Sequence, residues 1–124
     1  MTHKKTIAIV GSRNYPSPPA INYFVSRLKG SPCKILSGGA RGVDSIAIQA
    51  AKEYGLEWEE ILADWEQHGK GAGFLRNTEL VKKADIVVAF WDLKSRGTKD
   101  TITKAKAWGK ELHVFGPDGK LTTV

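Results

Sequence analysis

Ser37-Gly38-Gly39-Ala40-Arg41-Gly42-Val43-Asp44 decides how this 124-residue chain is read. Before it stands Cys33-Lys34-Ile35-Leu36, short and branched enough for a buried strand. After it Val43, Ile46, Ala47, Ala50 and Tyr54 recur at helical spacing. A glycine-rich turn therefore joins a strand to the first turn of a helix. In that geometry backbone N–H groups and the positive end of the helix dipole face one spot, which suits an anion. Glycine brings the backbone close to a phosphate with no Cβ in the way. Arg41 adds a planar fork of donors suited to phosphate or carboxylate. The pattern is neither G-x-G-x-x-G nor G-x-x-x-x-G-K-S/T. A tight connection in which the glycines only make room explains it equally well, so the rest of the chain has to decide.

Outward from this stretch, strands and helices alternate. Thr6-Ile7-Ala8-Ile9-Val10 is continuously apolar, as a strand buried on both faces of a parallel sheet would be. It ends in Gly11-Ser12-Arg13-Asn14. Pro16, Pro18 and Pro19 then mark a loop and a helix start, and Ile21, Phe24, Val25 and Leu28 predict an amphipathic helix over 18–29. The helix after Gly42 runs to about Tyr54-Gly55. Leu56 to Ile61 reads as a strand near the sheet edge, and His68 to Gly73 as a flexible connection. A helix over 74–83 carries Arg76 and Asn77 in its first turn. Ile86 to Trp91 is the clearest buried strand. Lys94-Ser95-Arg96-Gly97-Thr98 opens a helix over 99–108, and Glu111 to Phe115 is a last strand.

This alternation predicts a Rossmann-like, doubly wound parallel sheet of about five strands in a three-layer α/β/α arrangement. Right-handed crossovers favour the order 3-2-1-4-5. Ligands bind beyond the carboxyl ends of the strands where the winding reverses. The turns after strands one, two and four, at Gly11, Gly38-Gly39 and Gly97, all end there. Each carries an arginine: Arg13, Arg41 and Arg96. This convergence is the main reason to expect a site.

Composition narrows the partners. Hydrophobic residues at 41% and charged residues at 26% are ordinary for a globular domain, and the length suits one domain over 1–124. No apolar run is long enough to span a membrane, and Met1-Thr2-His3-Lys4-Lys5 opens no signal peptide, so a cytoplasmic location is expected. The single Cys33 precludes an internal disulfide and falls in a buried strand, where a nucleophile lacks its electropositive opening. Lys and Arg total 19 against 13 acidic residues, a charge of +6 that favours nucleotides, nucleic acid or phosphorylated metabolites. Lys82, Lys83, Lys104 and Lys106 fall on helix faces, where solvation alone accounts for them.

Individual candidates carry two readings each. Gly97-Thr98 supplies N–H donors and a hydroxyl, good for a helix cap and for a phosphate. Ser12 and Ser37 are similarly placed at strand ends. Asp44 suits loop stabilisation better than general-base work. Arg76 at a helix N-terminus is at the wrong end for a cation unless it faces an anion, or pairs with Glu79 or Asp64. Trp65 and Trp91 are candidates for stacking on a base, with Trp91 ending strand four at the crevice; packing is their other reading. His3, His68 and His113 are scattered, so neither a metal nor a cofactor is expected.

Taken together, Gly11-Ser12-Arg13, Ser37 to Asp44, Ala63-Asp64-Trp65, Ala72-Gly73 with Arg76-Asn77, and Ala89-Phe90-Trp91 with Gly97-Thr98 resemble the SLOG superfamily over about 7–114. Within it the chain is similar to the YspA/YpsA-related small proteins. The resemblance implies a domain that binds a nucleotide or nucleotide-derived small molecule. It places ligand contacts at Gly11, Ser12, Arg13, Ser37, Gly38, Gly39, Ala40, Arg41, Gly42, Asp44, Arg76, Asn77, Trp91, Gly97 and Thr98. Two branches offer alternatives. The LOG phosphoribohydrolases cleave the N-glycosidic bond of nucleoside monophosphates. Of their M-H-x-R-K motif only Arg76 remains, and Thr101 stands where P-G-G-x-G-T-x-x-E has its glutamate. Arg76 and the displaced Asp100 are then the catalytic candidates. The DprA/Smf branch shares S-G-x-A-x-G-I-D with Ser37 to Asp44 and implies single-stranded DNA as partner, although this chain is shorter than is usual there. SLOG relatives often self-associate, and edge strands would permit a homo-oligomer.

Overall fold

The computed structural model describes residues 4–39 and 41–123. Its sheet has the order β3-β2-β1-β4-β5-β6. The strands are β1 (Lys5–Gly11), β2 (Cys33–Ser37), β3 (Glu57–Glu60), β4 (Ile86–Phe90), β5 (Glu111–Phe115) and β6 (Leu121–Thr122). The first five pair in parallel in the expected order. The sixth is an addition to that expectation. It pairs antiparallel with β5 after a turn in which the Asp118 carboxylate accepts from the Lys120 N–H. Two residues give no periodicity to read, so the sequence conceals it.

Helices cover both faces: α1 (Pro18–Ser26), α2 (Val43–Glu53), α3 (Trp65–His68), α4 (Ala72–Lys83) and α5 (Arg96–Ala107). Successive strand residues point to opposite faces. Ile7, Ile9, Ile35, Val88 and Phe90 therefore pack with Ile21 and Val25 of α1 and Ala47, Ala50 and Ala51 of α2. Their alternates Ala8, Val10, Leu36, Val87 and Ala89 pack with Leu80 and Val81 of α4 and Ile102 and Ala105 of α5. Phe90 is fully buried, stacked on Phe115 with centroids 4.8 Å apart and edge-on to Tyr15 and Phe24. Burying a ring of this kind stabilises the fold by about 2–3 kcal/mol.

Several boundaries differ from the periodicity. The first helix ends at Ser26, and turns carry the chain to Gly30 at φ 85°. The fifth begins at Arg96 because the Ser95 hydroxyl accepts from the Thr98 N–H, so Ser95 is the cap and Gly97-Thr98 lie inside the first turn. The stretch before α4 is ordered rather than a loose connection. Asp64 caps α3 through the Gln67 N–H at 3.1 Å, a 3₁₀ turn spans Gly69–Gly71, and α4 starts at Ala72. Arg76 consequently sits in the second turn of α4, and the argument from a misplaced cation at a helix N-terminus does not apply to it.

The β3 margin of the sheet is charged. Glu57 pairs with Lys4 at 2.8 Å, and Glu59 pairs with Lys34 at 2.6 Å and Lys83 at 3.4 Å. No helix among the described residues is long and apolar enough to cross a membrane.

Candidate nucleic-acid site

The turns that end β1, β2 and β4 meet, as the strand order requires. Between them and the start of α4 lies a cleft of about 590 Å³, lined by Arg13, Gly38, Gly39, Arg41, Arg76 and Gly97 among others. Adjoining it is a second chamber of about 300 Å³ that shares Arg13, Arg41, Arg76, Asn77 and Gly97 with the cleft. The chamber floor is Val10, Leu80 and Thr101, all buried. Charged side chains lining the two spaces are Arg13, Arg41, Lys70 and Arg76 against the single carboxylate Asp44. The site is thus strongly cationic.

Close approach of backbones builds it. A Cβ at Gly11 would run into the Phe90 carbonyl and the Val43 side chain, which would push β1 off β4 and α2. At Gly42, φ is 82° and a Cβ would strike the Arg13 carbonyl, so the turns after β1 and β2 touch only because this residue has no side chain. A Cβ at Gly38 would lie 2.7 Å from Arg76 Nη1. The glycines therefore make room, and in doing so let the turns close up beside the cationic cleft.

Arg76 and Asn77 hold the turns after β2 and β4 in register. Arg76 Nη1 donates to the Gly38 carbonyl at 2.6 Å, and its Nε donates to Asn77 Oδ1 at 3.1 Å. Asn77 Nδ2 in turn donates to the Gly97 carbonyl and to Asp100 Oδ2, each at 3.2 Å. Asp100 is fixed by Lys104 Nζ at 2.7 Å. A chain of bonds thus runs from α5 through α4 to the turn after β2. It fixes the guanidinium plane in advance of any ligand, which lowers the ordering cost of binding.

The structure brings Gly11, Arg13, Gly38, Gly39, Arg41, Asp44, Arg76, Asn77, Gly97 and Thr98 to the cleft or the chamber. Other candidates lie elsewhere. Ser12 and Ser37 are buried in the frame: Ser12 Oγ accepts from the Asp92 N–H at 3.0 Å, and Ser37 Oγ donates to the Ile9 carbonyl at 2.8 Å. Gly42 lies under Arg13. Trp91 lines neither space; its indole N–H donates to the Ser95 carbonyl at 3.1 Å and its ring packs on the α4/α5 side of the sheet. Asp100 lines neither space and is held behind Asn77, while Thr101, in the glutamate's place, does face the chamber. Arg96 lines neither. Ala40 lies outside the described residues.

The cleft also contains Trp65, weighed above for stacking on a base, and residues that the sequence reading passed over. Trp65 and Phe74 are 59% and 47% exposed at its rim, with Leu62 and Lys70 beside them. Trp65 carried a usable signal, an aromatic beside a strand end. Phe74 carried none, since a hydrophobic residue on a helix is normally read as core. Away from the site, burial pushes the Cys33 thiol above its usual range, with Lys4 acting weakly the other way, which leaves it inert.

Residues 1–68 match the family described as DNA recombination-mediator protein A. Gene 61 protein of Mycobacterium phage D29 is 35% identical over 121 residues, which cover 90% of this chain and 97% of that protein. Among solved structures, DNA processing protein A from Streptococcus pneumoniae matches at a TM-score of 0.75 and 19% identity, over 90% of this chain and 50% of that one. DNA processing protein A from Helicobacter pylori, described for its single-stranded DNA binding mode, matches at 0.74 and 23%, over 90% and 65%. TM1055 matches at 0.71 and 23%, over 87% and 72%. At such identities these three carry the fold alone. The chain spans half the length of the Streptococcus protein and 65% of the Helicobacter one.

Proposed function

Because this chain belongs to the DNA recombination-mediator protein A family, as a small SLOG protein related to DprA and LOG, we propose that its cleft binds single-stranded DNA. Phosphates contact Arg13, Arg41 and Arg76, and a base stacks on Trp65 or Phe74. The observation that carries this reading is the meeting of four cationic side chains with two exposed aromatic rings in one open cleft. Cations track the backbone without regard to sequence, and aromatic faces accept any base, each worth about 1–3 kcal/mol. The single-stranded DNA mode described for the Helicobacter pylori relative supports the same choice of ligand.

A free nucleotide uses the same chemistry, and a space of about 590 Å³ also suits a small molecule. N-glycosidic hydrolysis finds less support, since Asp100 is tied to Lys104 and Asn77 outside both spaces.

Fluorescence anisotropy of a labelled oligothymidylate at rising salt tests the proposal. Three phosphate contacts predict a slope of about −2 in log affinity against log salt. Arg76→Ala should weaken binding by about tenfold or more and make the slope shallower. Binding indifferent both to salt and to this substitution would remove the cleft from consideration.

A further inference from the structure

We propose that a single strand held in the cleft continues past Phe74, along the seam between α4 and α5, to a second stacking face at Trp108. This rests on the reading of the cleft as a DNA site. The distribution of charge points the same way. Residues 70–110 hold ten basic and four acidic residues, so they carry the whole formal surplus of +6, while the rest of the chain balances at nine against nine. That segment contains both helices of the seam. Of its carboxylates, Asp85, Asp92 and Asp100 accept hydrogen bonds within the fold, and Glu79 is exposed on α4.

Cations and rings alternate along the seam. α4 and α5 pack side by side and run in the same direction away from the cleft. Phe74, which lines the cleft, has Lys104 Nζ 5.8 Å from its ring centroid. Further down, Lys82 Nζ lies 6.0 Å from the centroid of Trp108. The two pairs are about 12 Å apart along the helices. Trp108 is 43% exposed, and among the described residues no carboxylate pairs with Lys82. The end of α4 does not need that ammonium either, because Lys110 Nζ donates to the Ala84 carbonyl at 2.8 Å and the Lys82 carbonyl at 3.4 Å. Lys104 spends two of its three donors, on Asp100 at 2.7 Å and the Phe74 carbonyl at 2.8 Å, and keeps one for a phosphate. A lysine stem covering one exposed ring is ordinary packing. The same pair repeated in line with the cleft makes a track, with cations for the backbone and rings for the bases.

The test measures binding of labelled oligothymidylates of about four and about twelve nucleotides to the full chain at rising salt. The longer strand should bind more tightly, with a slope of log affinity against log salt steeper by about 0.7 to 1.4, for one or two further phosphates. Extra registers on a longer strand raise affinity but leave the slope alone. Lys82→Gln, at an exposed side chain, should remove about 0.7 of the difference in slope. Trp108→Ala should weaken the longer strand at least about fivefold without changing its slope, and Trp108→Phe should restore most of that loss. Neither position should alter binding of the short strand. Equal slopes for the two lengths, with the short strand still dependent on Arg76, would overturn the path and leave the cleft standing. A steeper slope indifferent to Lys82 and Trp108 would do the same, by putting the added contacts elsewhere. Binding of neither strand would overturn both.

Discussion

Glycines sit at both ends of this sheet and do different work. Gly30, Gly55 and Gly109 close α1, α2 and α5 at the end where strands begin, with φ of 85°, 70° and 64°. A Cβ added at any of them would meet nothing within 4 Å. They are chosen for backbone conformation alone. At the end where strands finish, Gly11, Gly38 and Gly42 are pressed against a carbonyl, a guanidinium or another turn. Identical residues thus terminate helices at one end and permit contact between loops at the other. Only the second group is coupled to the cleft.

The largest expected effect follows from setting one of each against the other. Gly42→Ala combines a left-handed φ with a collision against backbone, and should cost about 3 kcal/mol or more in urea unfolding while abolishing oligonucleotide binding. Gly55→Ala should cost about 1–2 kcal/mol, from strain alone, and leave affinity unchanged. Equal losses of stability and affinity in both variants would erase the distinction between the two ends.

Next in size is Asn77→Leu, which cuts the bonded chain from Arg76 to Gly97. We expect about 1–2 kcal/mol of lost stability. Affinity should fall about tenfold, with the salt slope losing what Arg76→Ala also loses, so that the double variant is no worse than either single one. Additive losses would show that Arg76 does not depend on Asn77 for its orientation.

A smaller effect concerns Asp92, which links the turns after β1 and β4. Burial disfavours its carboxylate, but the Lys94 and Ser95 N–H groups, the Ser12 hydroxyl and the nearby Lys94 charge together outweigh that and hold its pKa below the ordinary 3.8. A depressed carboxylate contributes stability above its unfolded pKa and loses that contribution as pH falls through the folded value. Asp92→Asn should therefore destabilise by about 1 kcal/mol at neutral pH, and the gap should close in acid below pH 3.8. A gap independent of pH would assign the effect to shape and not to charge. Smallest of all, Leu93 is 55% exposed at φ 70°, a conformation that asparagine tolerates better. Leu93→Asn should raise stability by about 0.5 kcal/mol in the same urea assay.

The frame was legible because burial on both faces leaves a plain mark. Ile7 to Val10, Ile35-Leu36 and Ile86 to Phe90 are continuous apolar runs, and parallel crossovers then dictate that their finishing turns converge. What stayed hidden is side-chain direction. Trp91 follows Phe90 in the chain, yet alternation sends its ring to the α4/α5 side of the sheet, where the Ser95 carbonyl takes its N–H. Arg96 and Arg76 are equally basic on paper, but only the latter reaches across to Gly38. Gly69-Lys70-Gly71 reads as a loose connection because nothing local announces that Asp64 caps the turn before it. The start of α5 moved for the same reason, since its cap is decided by the Ser95 hydroxyl and periodicity does not register it; α4 begins at Ala72 behind Gly71, with no side-chain cap.

The acidic margin at β3 bears on how copies of this protein meet. An unpaired strand normally invites another to zip onto it, the first step towards fibrils. Here Glu57, Glu59 and Glu60 occupy three of four positions, two of them tied to lysines, so a strand laid against that edge would have to disturb fixed, hydrated ion pairs. The sheet is in effect insulated on that flank, so crowding many copies of this protein together need not glue them along it.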